Sequence, residues 1–486
     1  MSETHSPETW QSRAKAAAWD TRPFINGRRA SVTGAAAVSS AVEAARNSFL
    51  DERWSGLPPA ARREVLLSLA ARIDANAEEL GLGDSLDMGK PISAAIIEAH
   101  IAAHFVRWFA EAADKLHDGS TVPGGRECFE LHLRRPRGVV AAITPWNYPV
   151  INAPLKFAPA LAVGNSVVLK PSELSLRSAS RLVELALEAG VPEGVLNFLP
   201  GDGATGDLLA RHTDVDMVAF TGSTATGRAL MRSVGDSSLK PLQLECGGKS
   251  PEIVFADAGT MGVDAIASSI LAGSLANQGQ LCVARTRILV HRSLYDALLE
   301  SMVESCRRIE PGDSLDPATR FGPLASAAQF NKVNRYIEEG ISAGARLVLD
   351  GRRDGMGYGS APTIFDRVPL ASSIAREEIF GPVLCIFGFD EDDEALALAN
   401  DGHYGLAATV WTRDLERAHL FTSRLRAGKV KIMGSPHPTM GVGVAHESEP
   451  NGQSGFGGEG VLAGLHTYTR LQAVEFSFGR PRQPRS

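Results

Sequence analysis

The stretch Val139-Val140-Ala141-Ala142-Ile143-Thr144-Pro145-Trp146-Asn147-Tyr148-Pro149 decides the architecture of this chain. Val139–Ile143 is wholly apolar, so neither face of a strand built from it is polar. Two prolines then fix a short loop, because proline locks φ and removes a backbone donor. A helical stretch, Ala153–Ala162, follows. The rhythm continues: apolar runs at Ser166–Lys170, Val195–Leu199, Met217–Thr221 and Glu252–Phe255 alternate with helical stretches at Leu176–Ala189, Ala204–Ala210 and Gly227–Ser233. Strands without a polar face are buried on both sides, and strands joined by helices run parallel. The expected fold class is α/β, with a Rossmann-type, doubly wound parallel sheet whose ligands sit beyond the carboxyl ends of the strands.

Upstream, residues 57–118 show helical spacing. Leu66, Leu69, Ala70 and Ile73 make one apolar face, and Phe105, Phe109 and Ala112 make another, so two or three helices are expected before residue 118. In residues 128–136, Phe129, Leu131 and Leu133 alternate with Glu130, His132 and Arg134, the mark of a half-exposed strand. Thr467–Phe478 has similar stretches, and the two strands could pair with each other or with another subunit. From about 262 to 440 a second α/β rhythm is expected, with helices at 262–276 and 293–309 and runs at Ile288–Val290, Val383–Phe389 and Ala407–Trp411. Gly479–Ser486 is basic and Pro-containing and reads as a frayed tail.

Composition excludes several classes. Across 486 residues, 44% are hydrophobic and 22% charged, which is ordinary for a globular chain and argues against disorder. Lys and Arg total 49 against 56 Asp and Glu, a net charge of −7 with no basic stripe, so nucleic acid and anionic membrane are poor partners. Five cysteines, at 128, 246, 282, 306 and 385, are widely spaced with no C-x-x-C, which suits neither a disulfide framework nor a metal site. They suit a reducing cytoplasm. The first ten residues lack a basic start and an apolar core, so no signal peptide is expected, and no apolar run is long enough to cross a membrane.

Six motifs carry chemistry. Asn147, held between two prolines, can offer its amide to a developing oxyanion. Lys170 ends a strand and Glu173 follows it, a position from which a carboxylate accepts ribose hydroxyls in nucleotide-binding sheets. Gly222-Ser223-Thr224-Ala225-Thr226-Gly227 opens a helix, where small residues let backbone N–H groups face a pyrophosphate. It is neither G-x-G-x-x-G nor a P-loop. Leu244-Glu245-Cys246-Gly247-Gly248-Lys249-Ser250-Pro251 puts a carboxylate beside two glycines between the α/β halves. Asn277-Gln278-Gly279-Gln280-Leu281-Cys282 places one Cys in a polar turn, as a nucleophile rather than core filler. Glu377-Glu378-Ile379-Phe380-Gly381-Pro382 completes the set.

Taken together and in this order, these motifs resemble the NAD(P)-dependent aldehyde dehydrogenase superfamily over roughly residues 20 to 478. The resemblance implies that Cys282 attacks the aldehyde, that Asn147 and the Cys282 backbone N–H hold the oxyanion, and that Glu245 activates water to hydrolyse the thioester. Lys156 and Glu459 would relay its proton. It assigns the cofactor, NAD rather than NADP, to Trp146, Lys170, Glu173, Gly222, Ser223, Gly227, Glu378 and Phe380, and the aldehyde tunnel to Tyr148, Asn152, Leu155, Ala276 and Ser448. No metal is implied. The implied organisation is an NAD-binding domain (1–118 and 137–247), a catalytic domain (248–450), oligomerisation strands (124–136 and 464–478) and a tail (479–486). Homodimers or homotetramers are usual.

Two departures fall outside the catalytic set. Cys246 stands where the family usually has Leu, and Val430–Met433 with Glu447–Gly455 replace two common C-terminal blocks. Asn152, Glu447 and Glu449 suggest a polar or cationic aldehyde, and the overall style is most similar to ω-aminoaldehyde and γ-glutamylaminobutyraldehyde dehydrogenases. The alternatives are a Cys thioesterase or esterase that needs no nucleotide, and a catalytically altered paralogue serving as a structural subunit.

Overall fold

The computed structural model describes residues 7–120, 128–353, 355–436 and 447–478. Its first sheet runs, from edge to edge, Gly455–Phe456, Leu242–Glu245, Met217–Thr221, Val139–Thr144, Ser166–Pro171, Leu196–Phe198, Phe24–Ile25 and Arg28–Arg29. The five strands from Leu242–Glu245 to Leu196–Phe198 are parallel. The chain enters at Val139–Thr144, moves out two strands, then returns to the other side through Met217–Thr221. That reversal opens a crevice between the two strands at their carboxyl ends. The loop bearing Asn147 and the turn at 222–227 leave from there.

The period of two along Val139–Ile143 feeds two cores. Val140 and Ala142 pack with Leu66, Leu69, Phe109, Phe157 and Leu182. Val139, Ala141 and Ile143 pack with Val38, Ala41, Leu209 and Leu230 on the opposite face. Each fully buried side chain of this size contributes about 1.5–3 kcal/mol, so the central strand is fixed in register from both sides.

The second sheet runs Arg346–Leu349, Thr363–Asp366, Val383–Phe389, Arg287–His291, Pro251–Val254, Ala407–Trp411 and Lys429–Met433. It is parallel except for the Arg346–Leu349 edge. Only five residues separate Leu242–Glu245 of the first sheet from Pro251–Val254 of the second, so Glu245 sits where the two sheets join. Cys128–Pro136 pairs antiparallel with Thr469–Ser477 along its whole length.

The structure corrects the expected elements in places. Three helices fill 57–118 as expected, but Pro7–Ala16 and Gly34–Leu50 precede them. Residues 464–467 close the helix Val461–Thr467, so the second ribbon strand begins at Thr469. The sequence did not mark Leu242–Glu245, Thr363–Asp366 or Lys429–Met433 as strands: each carries charged or polar side chains, and the last is an edge strand only partly buried. Gly455–Phe456 pairs with Leu242–Glu245, so the chain rejoins the first sheet after residue 450. The expected tail and residues 124–127 lie outside the described residues.

Gly227, expected to approach the cofactor, is buried in the helix Thr224–Gly235, and a Cβ there would lie 2.7 Å from Cys246 Sγ. The glycine makes room for the sulfur that replaces the family's usual Leu. Gly227→Ala should therefore destabilise the protein by about 1–2 kcal/mol, because overpacking outweighs the better helix propensity of Ala. In a Cys246→Ala background the same change should be neutral or stabilising. Urea unfolding of the four members of this cycle measures the coupling; additive effects would show that the two positions do not compete for space.

Candidate active site

Two loops meet at the junction of the sheets. The first carries Asn147, which is 4% exposed. Its Nδ2 donates to the Gln280 carbonyl at 3.0 Å. Its own carbonyl accepts from Asn277 Nδ2 at 2.9 Å and from Lys90 Nζ at 3.0 Å. The Asn147 peptide is thus tied to the loop that bears Cys282. One amide proton of Nδ2 remains uncommitted.

The cysteine loop is strained. Asn277, Gln278 and Gly279 have φ of 50°, 59° and 71°. Left-handed backbone costs a non-glycine residue of order 1–3 kcal/mol and persists where surroundings enforce it. Here Gln280 Nε2 donates to Asn277 O at 3.1 Å, and Gln280 Oε1 accepts from Ala325 N at 2.9 Å. A Cβ on Gly279 would lie 2.4 Å from Gly381 O, and one on Gly248 would lie 2.6 Å from Cys282 O. Glycine at 279 and 248 lets the loop close against both neighbours.

Carboxylates surround the sulfur. Burial, then the charges of Glu378, Glu245 and Glu459, push the Cys282 thiol up to about 12, while the Val283 N–H works against them. Desolvation and three like charges thus oppose ionisation of the thiol. Burial also raises Glu245 well above the ordinary carboxylate range, helped by Glu459 and Glu449 and opposed by Lys156. Glu245 Oε1 is buried and has no partner among the described residues. Lys156, fully buried, donates to Glu459 Oε1 at 2.6 Å and to Gln243 Oε1 at 3.0 Å, and the Tyr468 hydroxyl donates to the same Gln243 oxygen at 3.4 Å. Glu459 exchanges backbone bonds with Ser448, at 3.1 and 3.3 Å. The sequence thus brought Cys282, Glu245, Asn147, Lys156 and Glu459 to one place, but missed Lys90, Gln243, Asn277, Gln280 and Tyr468. None of these stood in a quoted role; Lys90 in Gly89-Lys90-Pro91 carried the only local signal.

Lys170, Glu173, Gly222 and Ser223, four of the expected cofactor residues, stand at or just beyond the carboxyl ends of strands of the first sheet. Lys170 is 5% exposed and Glu173 is exposed at the strand end just beyond it. Burial lowers the Lys170 ammonium while Glu173 and Asp202 support its charge. A cation and a carboxylate side by side form a donor and acceptor set that fits ribose hydroxyls. Gly222 N bonds to Glu245 O at 2.9 Å, and Ser223 caps the helix Thr224–Gly235 by accepting from Thr226 N at 3.1 Å. Trp146 meets Phe380 edge to face, with ring centroids 5.4 Å apart. Phe380 has φ of 62°, and Gln329 holds its carbonyl at 2.6 Å. Glu378 Oε1 accepts from Gly248 N at 3.0 Å. Thr221 Oγ1, at the end of its strand, is buried without a partner. These residues fit a dinucleotide laid across the strand ends.

Tunnel residues are placed less uniformly. Tyr148, Asn152 and Leu155 lie on or at the start of the helix Pro149–Ala162, and Ala276 opens the strained turn before Cys282. Asn152 Nδ2 donates to Tyr148 O at 3.1 Å, so its amide is engaged by its own helix. Leu155 packs against the first core. No group of three or more metal-ligating side chains occurs among the described residues.

Known proteins match this arrangement along the whole chain. The aldehyde dehydrogenase family matches residues 24–474. The NADP/NAD-dependent aldehyde dehydrogenase PuuC of Escherichia coli K12 is 42% identical, covering 97% of this chain and 99% of that protein. An aminoacetaldehyde dehydrogenase of Pseudomonas aeruginosa is 41% identical, covering 90% and 87%. An indole-3-acetaldehyde dehydrogenase crystallised with NAD+ superposes with a TM-score of 0.94 at 42% identity, over 97% of this chain and 100% of that one. With the thiol, carboxylate, amide and nucleotide crevice assembled as described, the chain belongs to the aldehyde dehydrogenase family and oxidises an aldehyde with NAD.

Proposed function

We propose that Cys282 is the nucleophile of that oxidation, Asn147 the oxyanion donor and Glu245 the base that admits water. The observation that supports this most is the meeting of a strained cysteine loop, an amide with one free proton and a buried carboxylate with an unpartnered oxygen. Once the Cys282 proton has passed to solvent, addition of the sulfur to the aldehyde carbon builds negative charge on oxygen, which the Asn147 amide and the Cys282 N–H receive. NAD, when bound, supplies the hydride acceptor and a cationic ring. Loss of hydride leaves a thioester on Cys282, which water must cleave. Glu245 takes the water's proton. Lys156 and half-buried Glu459 then offer a path to solvent. Lys170 and Glu173 take the adenosine ribose, and Glu173 disfavours a 2′-phosphate by like charge.

The substrate is an aldehyde with a distal amino group. Glu449, which accepts from Gly457 N at 3.0 Å, adds charge to the surroundings of Glu245, and the name of the Pseudomonas aeruginosa relative points to the same class. The enzyme assembles as a homodimer or homotetramer in the cytoplasm. Stacked, partly exposed Phe129, Phe476 and Phe478 on the ribbon support an interface there. All five thiols are free, which suits a reducing compartment.

Glu245→Gln separates the half-reactions, since hydride loss needs no water and deacylation does. Stopped-flow mixing should give a burst of NADH near one per site, then slow turnover; undiminished linear turnover would remove Glu245 from the mechanism.

Alkylation reports the thiol directly. Below the pKa of Cys282 the thiolate fraction rises tenfold per pH unit, so iodoacetamide inactivation without nucleotide should climb steadily from pH 6 to about 10 with no plateau. The Glu245→Gln variant should react faster at the alkaline end of the series, where Glu245 is ionised and its like charge is then gone, and about equally where Glu245 is protonated. A wild-type plateau near pH 7 would contradict the carboxylate cage.

For the substrate, 4-aminobutanal should be preferred over butanal in kcat/KM by a few-fold, as expected for a partly exposed carboxylate–ammonium contact. The preference should shrink with salt, because such contacts are screened over about 10 Å at 0.1 M. Equal kcat/KM values with no salt response would leave the enzyme without an amine preference.

A further inference from the structure

Lys90 is 1% exposed, yet it lies in a loop between the helices Ala77–Met88 and Ile92–Ala112. Burying an ammonium costs several kcal/mol, and an ion pair repays this only when every donor is met. Here each is. One N–H goes to Glu98, itself 8% exposed, and one to the Asn147 carbonyl at 3.0 Å. The third side of the ammonium stands over the Tyr148 ring, 3.8 Å from its centroid. Two of the three contacts fall on adjacent residues, Asn147 and Tyr148, of the loop that precedes the helix Pro149–Ala162. Tyr148 itself lies within the electrostatic reach of both Glu98 and Cys282. Val150, two residues on, donates its N–H to the buried Asp84 at 3.2 Å.

We propose that Lys90 is a positioning residue for the oxyanion-binding amide, fixing the Asn147 peptide through its carbonyl and the Tyr148 ring, with Glu98 as counter-ion. The carbonyl of Asn147 has two lone pairs, and Lys90 and Asn277 take one each. Asn277 ties the peptide to the cysteine loop; Lys90 ties it to the helical layer of the first sheet. With Lys90 removed, the peptide keeps a single tether and can rotate about it. A donor misplaced by an ångström loses most of its effect on a developing charge. A pair kept only for stability has no need to aim two of three donors at the active-site loop.

This inference rests on Asn147 as oxyanion donor, so Asn147→Ala is measured in parallel. The variants are Lys90→Met/Glu98→Gln, which removes the charge pair together, and Lys90→Arg, which keeps a cation but not its geometry. The readouts are the NADH burst rate with saturating aldehyde, the aldehyde KM, the NAD Kd and the rate of Cys282 alkylation. Alkylation forms no oxyanion, so it reports the cysteine loop alone. The double variant should lower the burst rate 10- to 100-fold, with KM, NAD Kd and alkylation within about threefold of wild type. Lys90→Arg should fold and fall between, at 3- to 10-fold. A burst rate within threefold of wild type in Lys90→Arg and in the double variant overturns the proposal, as does a parallel fall in alkylation and burst. Should the double variant not fold, Lys90→Arg decides alone by the same criteria. If Asn147→Ala keeps its burst rate, the oxyanion reading fails first; if it loses the rate while both Lys90 variants keep theirs, only the role of Lys90 fails.

Discussion

The reciprocal bonding between the Asn147 loop and the cysteine loop is the constraint on which the site depends. Asn147 belongs to the first sheet and Cys282 to the second, and no strand is shared between them at this point. Asn277 Nδ2 to Asn147 O and Asn147 Nδ2 to Gln280 O close a small ring of hydrogen bonds across the junction. These bonds are buried, where leaving any member unpaired costs about 1–3 kcal/mol. They therefore hold the left-handed turn at Asn277 and Gln278, whose backbone would otherwise relax. Relaxation would swing Cys282 away from the Asn147 amide. The glycines at 279 and 248 have no side chain for the same reason: the two loops approach until backbone meets backbone.

Around this clamp the charges are arranged against early reaction. Glu245, Glu459 and Glu378 all oppose ionisation of Cys282, and Glu459 opposes ionisation of Glu245. Lys156 is the nearest compensation, and it is already committed to Glu459. A resting thiol is less open to oxidation than a thiolate. Positive charge entering the crevice would lower the cost of the Cys282 thiolate. Burial first, and then the charges of Glu459 and Glu449, raise the proton affinity of Glu245 above that of an exposed carboxylate.

What could be read from the sequence divides by range of contact. Local patterns were legible: the two-sided apolar strands implied the parallel sheets, and the short motifs singled out Cys282, Glu245 and Asn147, which the fold carries to the junction of the two sheets. Contacts between distant segments were not. Lys90 with Asn147 and Gln243 with Lys156 join residues 57 and 87 apart; the sequence contains both ends but not their meeting. Gly227 adds a constraint of the same kind: a Cβ there would meet Cys246, 19 residues on. The opposition to ionisation at Cys282 was equally hidden, since it follows first from burial and then from three carboxylates in separate parts of the chain.

The departures at Val430–Met433 and Glu447–Gly455 can coexist with intact chemistry for a structural reason. Both departing blocks are themselves held to the two sheets. Upstream, Lys429–Met433 pairs in register with Ala407–Trp411. Downstream, Ser454 is fully buried; its hydroxyl donates to Gly247 O at 2.8 Å and accepts from Gly405 N at 3.0 Å, and its carbonyl accepts from Cys246 N at 2.8 Å. Gly455 then pairs directly with Glu245 as an edge strand. The chain is thus pinned to the strand that carries Glu245, on both sides of that residue, by backbone hydrogen bonds that do not depend on the side chains of the departing blocks.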